Sequence, residues 1–178
     1  KSLSADHPEP RPVFIGVDIS KWGVLAAARQ YPNVTWLVGN NKRLPVLPGS
    51  VDIMTSIFGF ETWHPWSELQ TSGQHVLVAH AGPLHLIEMR ELIYESVTIH
   101  DAADDSKAIE AGYQFVEKSS ITYGAPLDSI DTAERILSMT PHGYRISADK
   151  KADLETGLTT LLNKPLTIDV MLRWYKRC

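Results

Sequence analysis

Four short apolar runs divide the first half of the chain, and each stops at a turn or at a helix start. They are Val13–Ile19 (VFIGVDI), Val34–Val38 (VTWLV), Val51–Phe58 (VDIMTSIF) and His75–Ala81 (HVLVAHA). Runs of this length suit strands buried on both faces, the condition of a parallel sheet. The intervals between them carry helix signals. Ser20 can cap a helix on which Trp22, Leu25, Ala26 and Arg29 share one side, and Pro32-Asn33 ends it. A short helix is expected around Trp66–Gln70, before a turn at Thr71–Gly73. Pro83 suits the first turn of a helix running to about Tyr94, because a proline there gives up no needed N–H. Strands alternating with helices fold as right-handed parallel units.

The second half has a different rhythm. Val97–Ile99 reads as extended, and Tyr113–Tyr123 as a long strand in an antiparallel setting. Asp128 or Ser129 can cap a helix over Ile130–Met139, and Leu154–Leu162 forms another. Leu166–Trp174 reads as a final strand. The expected fold class is α/β: a doubly wound Rossmann-type sheet, mostly parallel, with an antiparallel C-terminal strand. A chain of 178 residues suffices for one domain with a core. Residues 1–12 read as a polar, proline-rich tail and 13–178 as a single domain. A doubly wound nucleotide site ordinarily opens with a strand and a glycine-rich turn, and neither is legible ahead of Val13. The domain is therefore expected to be incomplete at its N-terminal side.

Composition narrows the function classes. Hydrophobic residues make up 43% and charged residues 21%, which separates the chain from disordered and collagen-like classes. No apolar run approaches the ~20 residues of a membrane span, and the polar N-terminus is no signal peptide. The single cysteine, Cys178, allows no internal disulfide and no cysteine-based zinc site, which fits a reducing cytoplasm. No metal is expected. A net charge of −4 argues against a chain-wide electrostatic grip on nucleic acid. Arg173, Lys176 and Arg177, or Lys150 and Lys151, could form a local patch, although both groups read first as solvated surface.

Chemistry-bearing residues gather where the strands end. Asp18 closes the first strand, with Ile19 beside it, and a carboxylate there can accept from both hydroxyls of a ribose. An Asp before Ser is equally a good helix start. Asn40 and Asn41 follow the second strand, where an amide could read an adenine edge or simply make a turn. Ser56 and Phe58 close the third strand, and Glu61 and His64 follow as loop candidates for moving a proton. His85, expected in the first turn of the helix after the fourth strand, can donate to a ligand or serve as a structural histidine. Trp63 and Trp66 could stack on an unpaired base, as could Trp174 and Tyr175, although Trp174 reads rather as core at a strand end. No residue stands out as catalytic.

Four stretches together resemble the bacterial 23S rRNA guanine-N1 methyltransferases. They are Val17-Asp-Ile-Ser-Lys21 with Ala26-Ala-Ala-Arg-Gln-Tyr-Pro32; Arg43-Leu-Pro45 with Ser50-Val-Asp52; Gly82-Pro-Leu-His-Leu86 with Glu88, Leu92 and Tyr94; and Met139-Thr-Pro141. The first two are shared by many methyltransferases, and the last two are characteristic of this family. The resemblance implies a cytoplasmic enzyme that uses S-adenosyl-L-methionine to methylate a guanine in a 23S rRNA hairpin. It implies His85 as a cofactor contact, Asp18 as the ribose acid, and Asn40 and Asn41 on the adenine side. Ser56 would face the methyl donor, and Phe58, Trp63 and Trp66 the target base. The partner is then rRNA rather than membrane, and a homodimer stays open.

The chain departs from that family at three places. The family's N-terminal zinc module is not found here, and neither is the strand with its glycine-rich loop. The loop beginning Phe58-Gly-Phe-Glu-Thr-Trp is also longer than the family's. The absent strand would lie between the strands ending at Asp18 and Phe58, so the sheet must close that gap or borrow from another chain. Two other functions compete: a non-catalytic Rossmann-like binding or interaction module, and a dinucleotide-dependent oxidoreductase. The Gly-Pro-x-His segment and the C-terminal arrangement argue against the oxidoreductase. Residues 1–178 alone are expected to bind S-adenosylmethionine weakly or not at all, and a micromolar affinity in a calorimetric titration would overturn that.

Overall fold

Strands Ile15–Asp18 (β1) and Thr35–Val38 (β2) pair in parallel, Ile15 opposite Thr35 and Asp18 opposite Val38, but neither holds a buried residue, so the expected burial on both faces is not found in this pair. In this computed structural model the described residues are 11–99, 104–143 and 151–178, without the side chains of 151 and 152. Helix α1 (Lys21–Gln30) joins the two strands. Its first turn is capped by Ser20, whose Oγ accepts from the Gly23 N–H at 3.1 Å.

A second sheet holds Ile53–Ile57 (β3), His75–Ala81 (β4), Tyr113–Pro126 (β5) and Pro165–Arg177 (β6), in the order β3-β4-β6-β5. β3 and β4 are parallel. β6 inserts between β4 and β5 and runs antiparallel to both. The sheet system is therefore mixed, with two parallel and two antiparallel pairings, rather than mostly parallel. A β-bulge between Phe115 and Glu117 interrupts the register of the long β5–β6 ribbon.

The expected gap is not closed among the described residues: β1–β2 and β3-β4-β6-β5 are separate hydrogen-bonded sheets. The two groups of strands are joined through the loop after β2. There Gly49 N–H donates to the Glu68 carbonyl and Val51 N–H to the Leu69 carbonyl, both at 3.0 Å, along helix α2 (Trp63–Leu69).

Two apolar clusters hold the larger sheet. One joins α2 and helix α4 (Ser106–Glu110) to the sheet through Trp63, Trp66, Ala108, Val76, Val78, Tyr113 and Tyr175. The other joins helices α3 (Ile87–Ile93), α5 (Ile130–Ser138) and α6 (Lys151–Leu161) around Met89, Leu127, Leu137, Leu158 and Leu166. The opposite face of β3 stays open, with Ile53 64% and Ile57 70% exposed.

Several local expectations change. The helix after β4 begins at Ile87, because residues 83–86 form a turn that ends on Leu86 in the left-handed region at φ 51°. His85 thus sits in that turn and not in a helix. α2 begins three residues earlier than expected, Val97–Ile99 pairs with no strand, and α4 had no signal in the pattern. Trp174 is half-exposed, its indole N–H donating to His75 Nδ1 at 2.8 Å, while its neighbour Tyr175 is buried. Strand alternation explains the exchange, since successive residues point to opposite faces.

Leu158 fills the centre of the second cluster at 1% exposure. Leu158→Ala is expected to lower unfolding free energy by about 2–5 kcal/mol, read from urea denaturation midpoints.

Candidate functional site

The carboxyl ends of β1, β2, β3 and β4 carry Asp18, Asn40, Phe58 and His85 respectively, on the strands' own ends or the turns that follow. Ligands of open α/β sheets bind along such an edge. Asp18 is exposed, and its Oδ1 accepts from the Ser20 N–H at 2.7 Å, leaving Oδ2 uncommitted among the described residues. Ile19, one residue on, presents an apolar side chain that is 77% exposed. Asn40 makes a tight side-chain turn, its Oδ1 accepting from the Lys42 N–H at 2.9 Å.

Asn41 has a different role. Its side-chain NH2 donates to the Phe60 carbonyl, its Oδ1 accepts from the Trp66 indole N–H at 2.8 Å, and its backbone carbonyl accepts from Thr62 Oγ1 at 3.0 Å. The side chain expected to read an adenine edge is thereby committed to joining the loop after β2 to the loop after β3. Both Trp63 and Trp66 are core residues, 3% and 1% exposed, so neither offers a ring to an unpaired base. Trp63 packs edge-on against Tyr175 at 4.6 Å and Trp66 at 5.1 Å between ring centroids.

Glu61 is likewise spoken for. One carboxylate oxygen pairs with Arg173 and the other accepts from the Trp63 indole at 3.0 Å. Arg173, offered by the sequence as part of a basic surface patch, is buried at 3% exposure and also donates to Asp105 at 2.9 Å and to the Tyr175 hydroxyl at 2.7 Å. His64 is exposed within α2. Ser56 is buried beneath the end of β3.

At the neighbouring strand end, Phe58 and His85 face each other at 5.4 Å between ring centroids. Phe58 holds φ at 50°, and Leu86, next to His85, holds φ at 51°. Left-handed backbone at residues with large side chains is costly and persists where surrounding contacts enforce it. Phe58 N–H is tied to the Ala79 carbonyl and Leu86 N–H to the Thr167 carbonyl, and the turn ahead of Leu86 is held by Asp169 of β6, a residue that the sequence pattern did not single out. Its carboxylate accepts from the Leu84 N–H and the Thr122 hydroxyl, both at 2.9 Å, and its backbone N–H donates to His85 Nδ1 at 3.3 Å. An imidazole nitrogen that accepts carries no proton, so the proton of neutral His85 sits on Nε2. Burial pushes the His85 imidazole below its ordinary value, the Asp169 interactions opposing this only in part. His85 is therefore a neutral donor through Nε2–H.

Gly82 makes the Asp169 contact feasible, since a Cβ there would collide with the Asp169 carboxylate. One turn further, Glu88 accepts from Thr167 of β6 through its hydroxyl at 2.5 Å and its backbone N–H at 2.9 Å. Burial opposes ionisation of Glu88, and the Thr167 bonds outweigh it, so its carboxyl lies below the usual range. Among the described residues no group of three or more His, Cys, Asp or Glu could hold a metal ion, and no helix is long and apolar enough to cross a membrane.

No protein-family model matches the chain. It is a distant homologue of a protein of Bacillus subtilis (strain 168) named "Putative 23S rRNA (guanine-N(1)-)-methyltransferase YxjB", at 21% identity over 170 residues. That alignment takes in 93% of this chain and 57% of the relative, so the chain spans little more than half the length of the protein it matches. Solved structures share the fold. One assigned as a methyltransferase from Bacillus halodurans superposes with a TM-score of 0.56 at 12% identity, covering 91% of this chain and 81% of that one. The YcgJ protein of Bacillus subtilis gives 0.53 at 16% identity, covering 92% and 82%. A structure assigned as a sarcosine dimethylglycine methyltransferase from Galdieria sulphuraria gives 0.50 at 13%, covering 92% and 69%. The chain thus has the α/β fold of methyltransferase structures.

Two outcomes follow from the Asp169 and Glu88 bonds. Gly82→Ala displaces the Asp169 carboxylate and is expected to lower the thermal midpoint, whereas Gly73→Ala, which meets nothing within 4 Å, marks the smaller cost of a positive φ alone. Because Glu88 is depressed when folded, its contribution is present above the unfolded value and lost as pH falls through the folded value. Glu88→Gln should flatten the fall of the melting temperature in that acid range, and an unchanged slope would count against this reading.

Proposed function

We propose that this chain forms the core of an S-adenosyl-L-methionine-dependent methyltransferase that modifies N1 of a guanine in 23S rRNA. The observation that carries the reading is the row of Asp18, Asn40, Phe58 and His85 along one carboxyl edge of a methyltransferase-like set of strands. The name of the Bacillus subtilis relative supports the choice of acceptor.

The adenosine half of the cofactor fits the residues present. Asp18 would accept from ribose hydroxyls through the oxygen that Ser20 leaves free, and the exposed Ile19 side chain offers an apolar surface to a purine ring. Asn40 would serve the adenine side through its amide NH2, its Oδ1 being used within the turn. When bound, the cofactor supplies an electrophilic methyl group for in-line displacement, and catalysis is then largely a matter of positioning.

The chain's own residues would act on the acceptor side. Phe58, 54% exposed beside His85, presents a ring face to a planar base. The fixed Nε2–H of His85 would donate to a ligand oxygen and, in that tautomer, cannot take a proton at Nε2. Glu61, paired with Arg173, is not a free base either. Proton loss from the acceptor nitrogen is therefore assigned to no side chain of this edge.

The test uses the full-length protein. Methyl transfer from labelled cofactor to a 23S rRNA hairpin, with the product mapped to guanine N1, is the expected result, and no incorporation sinks the reading. Asp18→Ala should weaken binding of S-adenosylhomocysteine by about tenfold or more in calorimetry, the size of a lost charged hydrogen-bond pair.

A further inference from the structure

We propose that Arg173 and Glu61 are positioning residues, a partly buried ion pair that fixes the loop after β3 and thereby the Phe58 ring against His85. The proposal rests on the methyltransferase reading for its kinetic consequences, but its structural part stands without it.

Glu61 lies three residues beyond Phe58 and is the point at which this loop is charged and anchored. Its two oxygens point to different neighbours, Arg173 on β6 and the Trp63 indole at the start of α2. On the other flank, the Phe60 carbonyl and the Thr62 hydroxyl are tied to Asn41. The loop is thus held from both sides at consecutive residues. Arg173 extends the clamp to Asp105 just ahead of α4, and the Tyr175 hydroxyl closes it by donating to the same Asp105 oxygen at 2.5 Å.

Stability alone does not account for such a cluster. A buried ion pair offsets its own desolvation only partly, and apolar residues of the same volume commonly serve as well. What the pair adds is direction: the planar guanidinium spends one terminal nitrogen on Glu61 and the other on Asp105 and the Tyr175 hydroxyl, which fixes its plane and with it the line to Glu61. Here that direction is imposed on the segment that follows Phe58 at once. Glu61 and His64, the two candidates that the sequence offers for proton transfer, then separate in role. Glu61 acts through the loop and not on the acceptor.

The discriminating variant is Glu61→Gln, which keeps the shape and can still accept from Trp63 but removes the charge facing Arg173. Arg173→Lys keeps the charge and loses the fork. In hydrogen exchange on the full-length protein, both variants should speed exchange at residues 59–62 while leaving the β4–β6 amides protected. In methyl transfer, Glu61→Gln should lower kcat/KM for the hairpin by about tenfold, with S-adenosylhomocysteine affinity unchanged and the pH profile unshifted. Arg173→Lys should recover part of the loss seen in Arg173→Met. Unaltered exchange at residues 59–62 in Glu61→Gln overturns the proposal. So does loss of one limb of the pH profile, which would make Glu61 the proton acceptor. If the wild-type protein transfers no methyl group, the methyltransferase reading fails while the exchange result still decides the clamp.

Discussion

One face of a single strand carries the contacts that shape the candidate site. Along β6, Thr167, Asp169, Arg173 and Tyr175 are all odd-numbered and so project to the same side of the sheet. Each reaches a different loop or helix: Thr167 holds Glu88 of α3, Asp169 holds the turn around His85, and Arg173 with Tyr175 holds Glu61 and Asp105. The strand sits between β4 and β5, so its backbone is paired on both edges and it cannot drift. Polar groups this deep are tolerable because their bonds are made, and the made bonds are what fix the loops.

The backbone elements were legible because they rest on local signals. The apolar runs predicted β1 to β4, and Ser20 and Ser129 cap α1 and α5 as their positions suggested. The roles of individual polar side chains were not legible, because their partners are distant. Glu61 meets Arg173 across 112 residues, Leu84 meets Asp169 across 85, and Asn41 meets Trp66 across 25. No window of sequence contains both members of such a pair. Trp63 and Trp66 misled for a related reason: an aromatic-rich loop looks like a binding surface until a helix begins inside it and turns both rings into the core.

The parting of the strands into two sheets bears on how the site edge is assembled. Asp18 and Asn40 stand on the smaller sheet, Phe58 and His85 on the larger. No ladder of hydrogen bonds joins these halves. Their relation is carried instead by side chains and loop backbone, with Asn41 at the centre and Leu44 packed into the cluster around Trp66. The sheet edge and the site edge are therefore stabilised by different means, one by backbone pairing and one by a small number of specific bonds.

The placement of the polar row on β6 also has a kinetic meaning. Shifting β6 by one residue against β4 would turn Thr167, Asp169 and Arg173 to the opposite face together, parting them from Glu88, Leu84 and Glu61. Such a register is heavily disfavoured, so the strand checks its own alignment. The contacts that do so span 79 to 112 residues, and contacts of long sequence separation form late because loop closure must precede their reward. The left-handed turns at Phe58 and Leu86 would then be among the last parts of the molecule to take their final shape.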